Sequence, residues 1–125
     1  MARMDREPKP EGPVVQGFSG SGFVVDGRVY RALLLTPQGA HEWDAPLPAA
    51  LAARHLETVL ALQPQPEFLL LGTGASLTFP PRALVREIEA RGIGVEAMDS
   101  RAAARIWGLL RGEERWIVAA LMPLG

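Results

Sequence analysis

Phe68-Leu69-Leu70-Leu71-Gly72-Thr73-Gly74 is an unbroken apolar run that stops in a glycine turn and is soon followed by Pro80-Pro81. Continuous rather than alternating hydrophobicity suits a strand covered on both faces, the situation of a strand in a parallel sheet flanked by crossover elements. The run therefore predicts a central strand that delivers a glycine loop to one edge of a sheet.

Downstream, Pro81 to Arg91 predicts a helix with prolines at its first turn, where a missing amide hydrogen costs nothing, and Gly92 as its left-handed cap. Gly94-Val95-Glu96-Ala97-Met98 follows as a strand, and Asp99-Ser100 offers two N-cap candidates for the next helix. That helix carries Ala103, Ile106, Trp107 and Leu110 at helical spacing and ends at Gly112. Burying each of the three large side chains contributes about 1.5–3 kcal/mol, so Trp107 is expected in the core. Trp116 to Met122 is a third doubly buried strand, ended by Pro123. The C-terminal half is thus a β-α-β-α-β parallel unit.

Upstream, Asp26-Gly27 between Phe23-Val24-Val25 and Arg28-Val29-Tyr30 is the pattern of a type I′ hairpin. The glycines of Phe18-Ser19-Gly20-Ser21-Gly22 suggest a bulged edge or a loop. Arg31 to Leu35 continues the second hairpin strand, Thr36-Pro37-Gln38-Gly39 turns, and Ala40 to Trp43 returns as a short third strand. Ala49 to Leu62 has Ala52, Leu56, Val59 and Leu60 at helical spacing, and Gln63-Pro64-Gln65-Pro66 stops that helix. The fold class is α/β: one layered domain over 14–125, with an N-terminal antiparallel meander joined to the parallel unit in a mixed sheet. Residues 1–13, rich in proline and in charges of both signs, are expected to form a disordered tail.

Composition narrows the function. The 125 residues are 48% hydrophobic, enough for one core, and 13 basic against 14 acidic residues leave a net charge of −1. No global field would hold this protein on nucleic acid. The absence of cysteine excludes disulfides and thiolate chemistry. The N-terminal residues lack the apolar core of a secretory signal and no run is long enough to span a membrane, so a soluble cytoplasmic protein is expected.

The series Leu69-Leu70-Leu71-Gly72-Thr73-Gly74, Gly92-Ile93-Gly94-Val95-Glu96-Ala97-Met98-Asp99-Ser100, Ala102-Ala103-Ala104-Arg105 and Val118-Ala119-Ala120-Leu121-Met122-Pro123-Leu124 resembles a family of small domains of unknown function. That family includes a mitochondrial assembly factor for respiratory complex I and an adipogenesis-associated protein. The resemblance spans Phe18 to Leu124 and implies a layered α/β fold with a mixed sheet. It brings no established reaction, cofactor or catalytic residue. Where members usually read Arg-Thr-Tyr-Asn, this chain has Arg105-Ile106-Trp107-Gly108, and Ser100 stands where threonine is usual. Arg105 alone survives from that polar group.

Chemistry-bearing residues are sparse. Gly72-Thr73-Gly74 lacks the dinucleotide and nucleotide-loop patterns and reads first as a tight turn. If the strands ending at Leu71 and Met98 are parallel neighbours, however, this loop and the Asp99-Ser100 helix start share the carboxyl edge, where open α/β sheets bind ligands. Arg101 faces the positive end of the helix dipole, an awkward place unless Asp99 or a bound anion compensates. Gly72, Thr73, Gly74, Asp99, Ser100, Arg101 and Arg105 are accordingly the candidate ligand-binding residues. His41 and His55, with Glu42, Asp44 and Glu57, match no metal spacing. Ser19, Ser21 and Ser76 lack a nucleophile-elbow context, and the three tryptophans read as core. No cofactor and no catalytic residue are assigned. The first expectation is a non-enzymatic protein-binding or assembly module that uses the meander around Phe18 to Trp43. Respiratory-complex subunits are the partners implied by the resemblance. The alternative is an anion or small-molecule site at the carboxyl edge.

Overall fold

The computed structural model describes residues 11–125. Strands β1 (Gly17–Ser19), β2 (Gly22–Val25) and β3 (Arg28–Tyr30) form one antiparallel sheet in the order β1-β2-β3. β4 (Leu33–Thr36) and β5 (Gly39–Glu42) join a second sheet with β6 (Phe68–Gly72), β7 (Gly94–Met98) and β8 (Val118–Leu121), in the order β5-β4-β8-β6-β7. β6 runs parallel to both β7 and β8, while β4 is antiparallel to β8 and β5. The mixed sheet and the parallel unit are those the sequence predicts.

The Asp26-Gly27 hairpin is present, with Phe23 opposite Tyr30, Val25 opposite Arg28, and positive φ at both turn residues. The glycine-rich stretch before it is a second hairpin, Ser19 facing Gly22 across Gly20-Ser21. Two expectations are corrected. The chain does not run straight from Tyr30 to Leu35: it bends at Arg31-Ala32, and β4 enters the other sheet. Leu33, Leu34 and Leu35 are all buried, which needs cover on both faces, and only the larger sheet supplies it. Nor is 49–62 one helix. It is two 3-10 turns, Pro48–Ala50 and Ala53–Leu56, followed by a single α turn, α1 (Glu57–Leu60). The few tenths of a kcal/mol per residue from alanine propensity lose to seating Leu51, Leu56, Val59, Leu60 and Leu62 on the sheet, at about 1.5–3 kcal/mol per large side chain.

Helices α2 (Arg82–Ala90) and α3 (Ser100–Gly112) lie where expected, with Gly92 left-handed after α2. Pleating splits each central strand between two cores. Leu69, Leu71, Val118, Ala120 and Leu34 pack with Leu84 and Ile88 of α2 and with the 51–62 segment. Leu70, Ala119, Leu121, Leu33 and Leu35 pack with Trp107 of α3 and with Phe23, Val25 and Tyr30 of the small sheet. The small sheet and α3 thus cover one face, α2 and the irregular turns the other.

Met1 to Pro10, most of the expected tail, lie outside the described residues. Glu11 and Pro13 are tied to the domain. The Trp107 indole donates to the Pro13 carbonyl at 2.9 Å, and Arg111 Nη2 donates to the Glu11 carbonyl at 3.1 Å.

Candidate functional site

β6 ends at Gly72 because the chain must there approach the first turn of α3. A Cβ built on Gly72 would lie 2.7 Å from both Cα and Oγ of Ser100, so only glycine fits without movement. Asp99 caps α3 as expected, Oδ1 accepting from the Ala102 amide at 2.9 Å. The pairing of Gly72 with Met98 in the β6–β7 register brings the glycine loop and the helix start to the same edge. Five of the seven candidate residues, Gly72, Thr73, Gly74, Asp99 and Ser100, meet there.

Gly74 and Ser100 bond to each other, and the others bond to neighbouring backbone. The Ser100 hydroxyl is fully buried, accepts from the Gly74 amide at 2.9 Å and donates to the Met122 carbonyl at 2.8 Å. In return the Ser100 amide donates to the Gly74 carbonyl at 2.8 Å. The Thr73 amide goes to the Met98 carbonyl at 2.9 Å, and Thr73 Oγ1 accepts from the Thr78 amide at 2.8 Å while lying 3.0 Å from the Ser76 carbonyl. The Thr73 and Gly74 amides, which a phosphate loop would turn outward, are spent inside the protein.

Arg101 and Arg105 stand outside this cluster. Both are exposed and one helical turn apart. Arg101 lies over the ring of Phe18, 5.8 Å from its centroid, and Phe18 meets Phe23 edge to face at 6.0 Å. Its partner is therefore an aromatic face on β1, a contact that sequence spacing had no way to signal. The histidines are occupied or exposed: His55 Nδ1 accepts from the Ala52 amide at 3.0 Å, and His41 is open to solvent on β5. Trp43 and Trp116 are partly buried and each donates to a backbone carbonyl, of Leu121 and Pro64 respectively.

Past the filled loop the chain turns outward. Leu77 is 48% exposed and Phe79 82% exposed, immediately before Pro80-Pro81 and the start of α2. Sequence reading passed over these two because they fall between the glycine turn and the prolines. Arg111 was missed as well. It continues the buried stripe of Ala103, Ala104 and Trp107, and its guanidinium donates to the Arg115 and Glu11 carbonyls. Ile106 and Leu110, expected on that stripe, are only partly buried.

A family model described as protein of unknown function (DUF498/DUF598) matches residues 15–122. The chain belongs to that family. Among its relatives is NADH dehydrogenase (ubiquinone) 1 alpha subcomplex assembly factor 3 of Danio rerio, 31% identical over 113 residues. That match covers 90% of this chain and 65% of the zebrafish protein, so the chain spans just under two thirds of that relative's length. Solved structures that share the fold include two from Bordetella. A crystal structure from Bordetella parapertussis superposes with a TM-score of 0.82 at 34% identity, covering 93% of this chain and 99% of that one. The solution structure of a Bordetella pertussis protein, described as a Mth938-like domain, gives a TM-score of 0.81 at 28% identity, covering 99% and 94%. Among the described residues no helix is long and apolar enough to cross a membrane.

Proposed function

We propose that this protein is an assembly module that holds a protein partner rather than turning over a substrate. The observation that carries the reading is the contrast at the carboxyl edge, where the loop amides and the Ser100 hydroxyl are consumed internally while Leu77 and Phe79 stand exposed beside them. A ligand site would keep donors free; a docking site keeps apolar side chains free. The kinship with a complex I assembly factor supports the same reading and suggests respiratory-complex subunits or their precursors as partners.

The docking surface moves from the meander edge to Leu77 and Phe79. β5 is the meander's edge of the large sheet, β7 being the other edge, and it carries exposed His41 and Glu42, polar side chains of the kind that discourage edge pairing. Phe18 and Val29 are the apolar side chains that the small sheet exposes, and Phe18 is engaged by Arg101.

The competing reading places an anion near Gly72–Gly74 and Asp99–Arg101, with Arg101 and Arg105 in its favour. In-cell crosslinking followed by affinity capture from the native host should recover a reproducible protein partner. Turnover of a metabolite in a substrate screen, abolished by Asp99→Ala, or anion-dependent NMR shifts of the Gly74 and Ser100 amides, would replace the assembly reading with a ligand-binding one.

A further inference from the structure

Phe79, Pro80, Arg82, Val85 and Arg86 line an open groove of about 550 Å³ along the start of α2. Its apolar wall is Phe79 with Pro80 and Val85, and its cationic wall is Arg82 and Arg86. These arginines lie at i and i+4, so they project from one side of the helix. Among the described residues neither has a carboxylate at ion-pair distance, whereas the nearby Glu87 lies 3.8 Å from Arg91. The first turn of α2 contains no acidic residue, and Pro81 at the N-cap offers no side-chain bond, so the positive end of the helix dipole adds to the two guanidinium groups.

We propose that this groove docks an amphipathic segment of the protein partner, one that sets an apolar side chain against Phe79 and Val85 and carboxylates against Arg82 and Arg86. The inference rests on the assembly reading above and names its surface and partner chemistry. Charge complementarity selects the occupant: two guanidinium forks one helical turn apart match carboxylates at the same spacing. The apolar wall needs a partner that also buries hydrocarbon, which a free phosphate or a nucleic-acid backbone does not offer. An amphipathic helix laid in such a groove meets both requirements at once.

The test titrates the ¹⁵N-labelled full chain with a short peptide carrying glutamates at i and i+4 beside leucine. Amide shifts should saturate and cluster between Phe79 and Glu87. Arg86→Glu and Phe79→Ser should each weaken binding by about tenfold or more, with unchanged melting because both side chains are solvent-facing. Replacing the peptide's glutamates with lysine should abolish the shifts. Equal binding of the lysine peptide, shifts scattered over other elements, or self-association of the chain through this groove would each overturn the proposal. Partner capture repeated with the Arg86→Glu and Phe79→Ser double variant separates this inference from the reading beneath it. Capture undiminished by the double variant overturns the groove and leaves the assembly role standing, whereas failure of the wild-type chain to capture any partner overturns both.

Discussion

At the carboxyl end of β6, Ser100 Oγ bridges the Gly74 amide and the Met122 carbonyl between uncharged groups shut away from water. At the amino end, Glu67 reaches Arg115 with contacts of 2.9 and 3.1 Å, and Glu57 reaches Arg91 at 2.7 and 3.2 Å, all with side chains in the open. Buried neutral bonds cost much when a partner is removed, because the survivor is stranded without water. Exposed ion pairs lose little, because water and salt already share the charges. The Ser100 bridge is therefore expected to be rigid and indifferent to salt, and the ion pairs of the amino edge adaptable and sensitive to pH and salt.

The deepest way to break the carboxyl edge is to unseat the helix that carries Ser100. Trp107 is fully buried on α3, and Trp107→Ala should destabilise the domain by about 3–5 kcal/mol, the usual range for truncating a core aromatic. Guanidinium chloride melts give the value, and a loss under about 1 kcal/mol would mean that α3 is held by something other than its apolar face. Ser100→Ala comes next. It leaves the buried Gly74 amide and Met122 carbonyl without their hydroxyl partner, a loss of about 1–3 kcal/mol that should be the same at low and high salt. Ser100→Thr retains the hydroxyl and should recover part of that loss in the same melts.

The amino edge gives the smallest effect and the one that changes with conditions. Hydrogen bonds from Arg91 and Arg115 hold the Glu57 and Glu67 carboxyls below the ordinary glutamate range. A carboxyl with a folded pKa below its unfolded one contributes stability that is complete above the unfolded value and lost as pH falls through the folded one. The double variant Glu57→Gln and Glu67→Gln should therefore melt slightly below wild type at neutral pH. The two should converge as pH drops below about 4.3, the ordinary glutamate pKa. A gap that persists in acid would show that these side chains act through packing instead of charge.

The parts of this architecture legible in the sequence were those whose signal is local or redundant. Asp26-Gly27 specifies its own turn, and the apolar runs at 68–71 and 116–122 specify two-sided burial because no alternation relieves them, although Trp116 is only partly buried and the strand begins at Val118. The interruption of 49–62 was hidden because helical spacing and alanine content describe an isolated helix, while the outcome was decided by the sheet surface beneath it. The bend at Arg31-Ala32 was hidden for a related reason: β3 and β4 are both β-prone, and no residue between them announces a change of sheet. At the candidate site, the meeting of Gly74 with Ser100 followed from the parallel pairing of two strands. That the meeting would satisfy its own donors could not be read from spacing. Nor could the burial of Arg111, since an arginine continuing an apolar stripe looks like the end of it.

The position of β8 bears on how the domain is made. It is the last strand in the chain, yet it lies in the middle of the large sheet, antiparallel to β4 on one side and parallel to β6 on the other. As the polypeptide leaves the ribosome, β4–β5 and β6–β7 can form only as two separate pieces, each with one unpaired strand edge facing a gap. The sheet closes when Val118–Leu121 arrives, so this domain completes folding after synthesis of its C-terminal strand rather than progressively along the chain. Until that moment the nascent chain carries two sticky edges, and a product cut short before Val118 would keep both.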